Sequence, residues 1–189
     1  MGVTVGSSIY NAPSIYESGA GGGGGGSVVN IGGYLYETVE FNGLLWTTSN
    51  YKGGANAIYK SLTDNFYYPI YAGLENLNID GWRLPLKSEI QNIIDTYGSN
   101  CAYQMKTPNG WLYGWNGDNS SGVTIGPPNS WLDASNTVVE MIATEDFWAR
   151  RTSEGNLSLI SFTSSNNGIG IADITSTNNK YSIRLVKSL

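Results

Sequence analysis

Residues 19–26 read Gly-Ala followed by six glycines, and no packed domain can run through such a stretch. Without side chains it offers nothing to a core, and glycine loses the most backbone freedom on ordering. The run reads as a flexible linker. It divides the chain into an arm (1–18), a linker (19–27) and a remainder (28–189) of ordinary domain size. The arm is too short to fold alone, yet it carries Val3, Val5 and an internal echo, Ser8-Ile9-Tyr10 and Ser14-Ile15-Tyr16. Two readings stay open. One is a disordered terminus. The other is an anchor that adds an extended segment to a partner's sheet or groove through Val3, Val5, Ile9, Tyr10, Ile15 and Tyr16.

The chemistry open to the chain is narrow. Its 189 residues contain no histidine and one cysteine. No imidazole can act as general base or metal ligand, and neither an internal disulfide nor a cysteine-based zinc cluster can form. Fifteen acidic against ten basic residues give a net charge of −5, which argues against nucleic-acid binding through counterion release. No stretch approaches the ~20 apolar residues of a membrane helix, so no membrane insertion is expected. The first basic residue is Lys52, so a secretory signal with its basic start is not expected either. Neither a metal nor a cofactor is expected, and the balance favours a binding or structural module over a catalyst.

Hydrophobic patterning predicts strands over 28–31, 34–41 and 44–48, the last two joined by Asn42-Gly43, a strong hairpin signal. Leu86, Ile90, Ile93, Ile94 and Tyr97 fall on one face at helical period and predict a helix over 86–97, ended by Gly98. A weaker helix is predicted over 56–62. Residues 101–136 are dense in Gly, Asn, Ser and Pro but carry Trp111, Tyr113, Trp115 and Trp131, and read as a long loop. Strand-like runs return at 147–149, 157–162, 168–172 and 181–186, the third expected to be irregular. The class implied is α+β, one or two helices followed by mostly antiparallel strands.

The segment Asp80-Gly81-Trp82-Arg83-Leu84-Pro85-Leu86-Lys87-Ser88-Glu89-Ile90 resembles the GWRLP signature of the Fibrobacter succinogenes major paralogous domain family. Val39 to Trp46, Tyr67 to Tyr71, Gln104-Met105-Lys106-Thr107 with Trp111, Phe147-Trp148-Ala149-Arg150 and Tyr181 to Lys187 resemble further parts of that family in order. The resemblance covers roughly 35–189 and implies a C-type-lectin-like domain with a long irregular loop region. It also marks Trp46, Trp82, Arg83, Pro85, Trp148 and Arg184 as structural, the tryptophans as core wedges and the arginines as partners of buried carboxylates or carbonyls. The chain departs from the family at Leu86, where Thr or Ser usually forms a capping box with Glu89. A helix start shifted from that position is therefore expected. The motifs by which animal C-type lectins bind calcium and sugar, their paired disulfides and the cysteines of the formylglycine-generating relatives are all missing from the sequence.

The aromatics of 101–136 have two readings: plugs that hold a long loop down, or a platform on which sugar faces stack while amides bind hydroxyls. The platform would comprise Trp111, Tyr113, Trp115 and Trp131, with Asn109, Asn116, Asp118 and Asn119 as the polar half. Asn116 to Ser120 resembles a calcium loop only loosely, because the closing bidentate Glu is missing. Glu145 and Asp146 are adjacent and point apart on a strand, so a carboxylate hydrolase is not expected. The expectation is a non-enzymatic virion protein of a bacteriophage, a fibre or decoration subunit on the virion surface. Its arm would lock into capsid or tail proteins, and its lectin-like head would contact a host-surface glycan or protein. A homo-oligomer is expected, most often a trimer in such fibres, with 28–45 contributing to the interface. The alternative is a bacterial cell-surface module of the same family.

Overall fold

Three tight hairpins in which both turn residues take positive φ set the register of the first sheet. The computed structural model describes residues 26–54, 56–61, 65–70, 73–111, 115–126, 130–140, 144–150, 157–163, 165–174 and 177–189. β1 (Ser27–Ile31) and β2 (Tyr34–Phe41) are joined by Gly32-Gly33, and β2 and β3 (Leu44–Thr47) by Asn42-Gly43. After β4 (Ile58–Lys60) and β5 (Asn65–Tyr67), a 3-10 turn (Leu74–Asn76) leads to β6 (Asn78–Ile79) and β7 (Trp82–Arg83), joined by Asp80-Gly81. Positive φ at both positions matches the twist of the flanking strands, hence Gly, Asn and Asp at the six turn positions.

α1 (Lys87–Tyr97) follows directly, then β8 (Ser130–Leu132), β9 (Val138–Glu140), β10 (Thr144–Arg150), β11 (Leu157–Thr163), β12 (Ile169–Ile174), β13 (Ser182–Ile183) and β14 (Val186–Ser188). A six-stranded sheet runs β1-β2-β3-β14-β7-β6 and a four-stranded one β12-β11-β10-β13. Among the described residues the architecture is mostly β-sheet with a single short α-helix, a mixed α+β arrangement. No helix among them is long and apolar enough to cross a membrane.

Two apolar clusters form the core. One packs Ile90 and Ile93 of α1 against Phe41, Trp46, Phe147 and Phe162. The other gathers Tyr36, Tyr68, Trp82, Trp148 and Leu185. β2 serves both: Tyr36 points into the second cluster, and Val39 and Phe41 into the first. Alternation along a strand reverses faces, so this sheet is covered on both sides over that stretch.

Five expectations change, the last of them the start of α1. Residues 58–60, within the predicted 56–62 helix, form β4, because Ile58 and Tyr59 find partners in Tyr67 and Phe66 across a hairpin. The Tyr59 and Phe66 rings lie 5.0 Å apart; Leu62 lies outside the described residues. The 168–172 run is a regular strand within β12, paired along β11. The terminal 181–186 run is two strands, because the chain leaves the four-stranded sheet after Ile183 and enters the six-stranded one at Val186. The 101–136 loop contains β8, which pairs with β9 as an antiparallel hairpin.

The helix start is not displaced by Leu86. Leu86 is the N-cap, in extended backbone, and the Glu89 carboxylate accepts its N–H at 2.7 Å. A leucine side chain has no acceptor, so only this half of the capping box exists. The Glu89 N–H donates instead to the Leu86 carbonyl at 3.0 Å.

Candidate binding face

The region after α1 would be free to move if its polar backbone were left to water, but it is tied down residue by residue. Gly117, Asp118 and Ser121 donate their N–H groups to the carbonyls of Thr107, Tyr103 and Gln104. Thr107 N–H donates to Ile125 O and Ile125 N–H to Met105 O, a short parallel bridge at Lys106. Residues 115–126 thus lie along 103–107. The approach is so close that a Cβ at Gly117 would overlap the carbonyl oxygens of Tyr103 and Lys106. Beneath this corner Cys101, Ala102, Met105, Val123 and Ile125 are buried in the first cluster.

Lys106 sits at the centre with no exposed surface. Its Nζ donates to three carbonyl oxygens, of Thr163 and Asn166 at 2.6 Å each and of Trp115 at 3.3 Å. It also lies 4.4 Å from the centre of the Trp111 ring, a cation–π contact. An ammonium has three donors and no acceptor, and here all three are used. Burial pushes its pKa down to about 8, with a Cys101 thiolate the one charge that would hold it up.

Trp111 and Trp115, four residues apart, have opposite environments. Trp111 is 5% exposed. Its indole N–H donates to Thr107 Oγ1 and its backbone N–H to Asn116 Oδ1. It is a plug, enclosed because its ring floors the Lys106 site, and it presents no face to a ligand. Trp115 is 41% exposed, and Tyr103, not singled out by the sequence reading, is 39% exposed on the same corner. Tyr103 stands in the tight turn before the first tryptophan of the segment, and its carbonyl accepts the Asp118 N–H, so the fold of 115–126 over that turn brings the two stretches of backbone together.

The polar candidates divide likewise. Asp118 and Ser120 are exposed, and Asp118 Oδ1 accepts the Ser120 N–H in an Asx turn. Asn119, at φ 51, exchanges side-chain bonds with Thr124: its Oδ1 accepts the Thr124 N–H and its Nδ2 donates to Thr124 Oγ1. Asn116 and Asn119 therefore brace the loop, while Asp118 is at the surface. Asn109 is exposed, and its carbonyl accepts from Thr107 Oγ1. Among the described residues no three acidic or cysteine side chains gather as metal ligands. Tyr113 and the anchor residues Val3, Val5, Ile9, Tyr10, Ile15 and Tyr16 lie outside the described residues, as does the side chain of Trp131, whose backbone pairs with Val139.

The structural candidates lie inside. Trp46 and Trp148 are fully enclosed, their indole N–H groups donating to the carbonyls of Phe41 and Tyr68. Trp82 and Pro85 are buried, and the Pro85 carbonyl accepts the Arg150 N–H. Arg83 grips Glu89 with both Nη atoms, at 2.6 and 2.9 Å. Arg184 is buried where the chain crosses between sheets, donating to the carbonyls of Thr47 and Thr124. Burial lowers its pKa to about 10 against the opposing effect of buried Glu145. Comparison of the chain with protein families, curated proteins and solved structures finds no match.

Proposed function

We propose that the chain is a non-enzymatic recognition head of C-type-lectin-like type. It is displayed on a bacteriophage virion by its N-terminal arm and contacts a host-surface glycan through the Trp115–Tyr103 corner. The observation that carries this reading is a large exposed indole on a backbone held by five cross-loop bonds and a buried lysine. Exposed tryptophan is costly in water, and a rigid aromatic face binds with little ordering cost. Pyranose rings present C–H faces that stack on such a surface, and Asp118 and Ser120, exposed on the same loop, offer polar groups for hydroxyls.

The lectin-like assignment rests on the resemblance around 80–90 together with topology. β14, the last strand, inserts between β3 and β7, so the C-terminal strand completes the sheet that the first strands begin. The segment 98–140 separates α1 from β10 and carries Tyr103 and Trp115, two of the exposed aromatics. An oligomeric virion subunit is supported by β1, the outermost strand of its sheet. β1 carries no charge or proline, and Val28 and Leu35 beside it are 62% and 73% exposed. Bare apolar edges of this kind invite pairing with a second copy.

Binding of the purified chain to an array of bacterial surface glycans tests the head, with Trp115→Ala as the decisive variant. Loss of the signal in that variant is expected; equal signals, or none for either protein, remove the glycan reading. Mixing a form lacking residues 1–25 with particles tests the arm, since undiminished decoration would rule out anchoring through it.

A further inference from the structure

We propose that Lys106 is the positioning residue of this binding face, an internal ammonium that fixes the Trp115 backbone to the β11–β12 connection. The inference rests on the reading of Trp115 as a contact residue, but its geometry stands independently. The three acceptors of Lys106 Nζ come from two segments: Trp115 in the loop, and Thr163 with Asn166 at the end of β11 and in the turn toward β12. Other described bonds also join the loop region to that turn or to its own ends, among them Ala102 N–H to Asn167 O. Among the described residues it is Lys106 whose side chain bonds the Trp115 backbone.

Charge without a counter-charge among the described residues is the informative feature. A buried lysine is ordinarily matched by a carboxylate; here the groups facing the ammonium are three carbonyl dipoles, the Trp111 ring and the Cys101 thiol. A carboxylate would satisfy the charge at one point. The three carbonyls can be satisfied only if both segments stay in place, so the ammonium acts as a clamp between them. The ring that floors it belongs to Trp111, itself tied to Asn116 next to Trp115. Methionine would fill a similar volume yet leave the three carbonyls unpaired in a buried site.

The test uses the full chain labelled with 5-fluorotryptophan, the Trp115 resonance being assigned by its loss in Trp115→Phe. In Lys106→Met the Trp115 fluorine signal is expected to shift or broaden while the signals of Trp46, Trp82 and Trp148 keep their places. Binding to whichever array glycan the wild type selects is expected to weaken at least tenfold. A Trp115 signal unchanged in shift and width overturns the proposal. Should Lys106→Met not fold, the wild-type chain provides the readout between pH 6 and 10. The Trp115 signal should then titrate together with the Lys106 15Nζ signal, and should do so still in Cys101→Ala. A Trp115 signal flat across that titration also overturns it. If no glycan binds the wild type but the fluorine shifts occur, positioning holds and the glycan reading alone falls.

Discussion

Leu86 offers the sharpest check on how this sequence starts its helix. As N-cap it has the extended backbone that a capping threonine would adopt, and Glu89 already supplies the reciprocal bond. Leu86→Thr adds the missing acceptor for the Glu89 N–H. Capping side chains are worth typically about 1 kcal/mol. The gain here falls in the lower part of that range, because the Glu89 N–H already reaches the Leu86 carbonyl. Against it stands the apolar surface that Leu86 covers. The side chain is only partly buried and belongs to neither core cluster, so its loss costs on the order of 0.5 kcal/mol. Leu86→Ala suffers that loss without the cap. Urea titrations of the three proteins separate the terms: Leu86→Thr should exceed Leu86→Ala by about 0.5–1 kcal/mol at equal m-value and lie close to wild type. Equal midpoints for the two variants would refute the capping argument. A fall of about 2 kcal/mol or more in both would show Leu86 acting as a core residue.

Four other outcomes follow from the same structure. Glu89→Ala removes the Arg83 pair and the Leu86 acceptor together and should cost about 2 kcal/mol in a urea titration, with Glu89→Gln nearer half that. Trp111→Ala should cost about 3 kcal/mol or more as a vacated core position, whereas Trp115→Ala should leave the thermal midpoint within a few degrees. Lys106, lowered to about 8 from 10.5, binds its proton less tightly folded than unfolded, so stability should rise with pH once it titrates. Cys101 and Tyr36 are both raised, chiefly by burial, and act in the opposite sense above pH 9 and 10. The net gain therefore falls between pH 7 and 9, at about 1 kcal/mol, and a flat profile there in the wild type would contradict it. Mass photometry should find the wild-type chain oligomeric at micromolar concentration and Val28→Lys monomeric, at unchanged thermal midpoint; a monomeric wild type removes the second-copy reading of the β1 edge.

What could be read from the sequence was whatever is decided within a few residues. Asn42-Gly43 enforces its hairpin by turn sterics alone, and Ile90 and Ile93 mark the buried face of α1 by spacing alone. β4 escaped because Ile58 and Tyr59 suit helix or strand, and their partners in β5 decided. The division of the terminal run at Arg184 escaped for a like reason: which sheet each half joins depends on β10 on one side and on β3 and β7 on the other. The candidate face around Trp115 shows the limit most plainly. Trp111 and Trp115 are the same residue type in the same polar surroundings, and composition treats them alike. What separates them is Lys106, whose acceptors Thr163 and Asn166 lie 57 and 60 residues further along. A lysine among Gln, Thr, Pro and Asn looks like solvated loop until the β11–β12 turn is brought over it. Once it is, the ammonium needs a floor and a lid. The tryptophan whose ring lies under the ammonium becomes the floor, and the one whose carbonyl closes the site is left facing outward. Exposure of Trp115 is thus a consequence of how one buried charge is satisfied, which is why replacing the lysine should disturb the surface tryptophan more than its distance from solvent suggests.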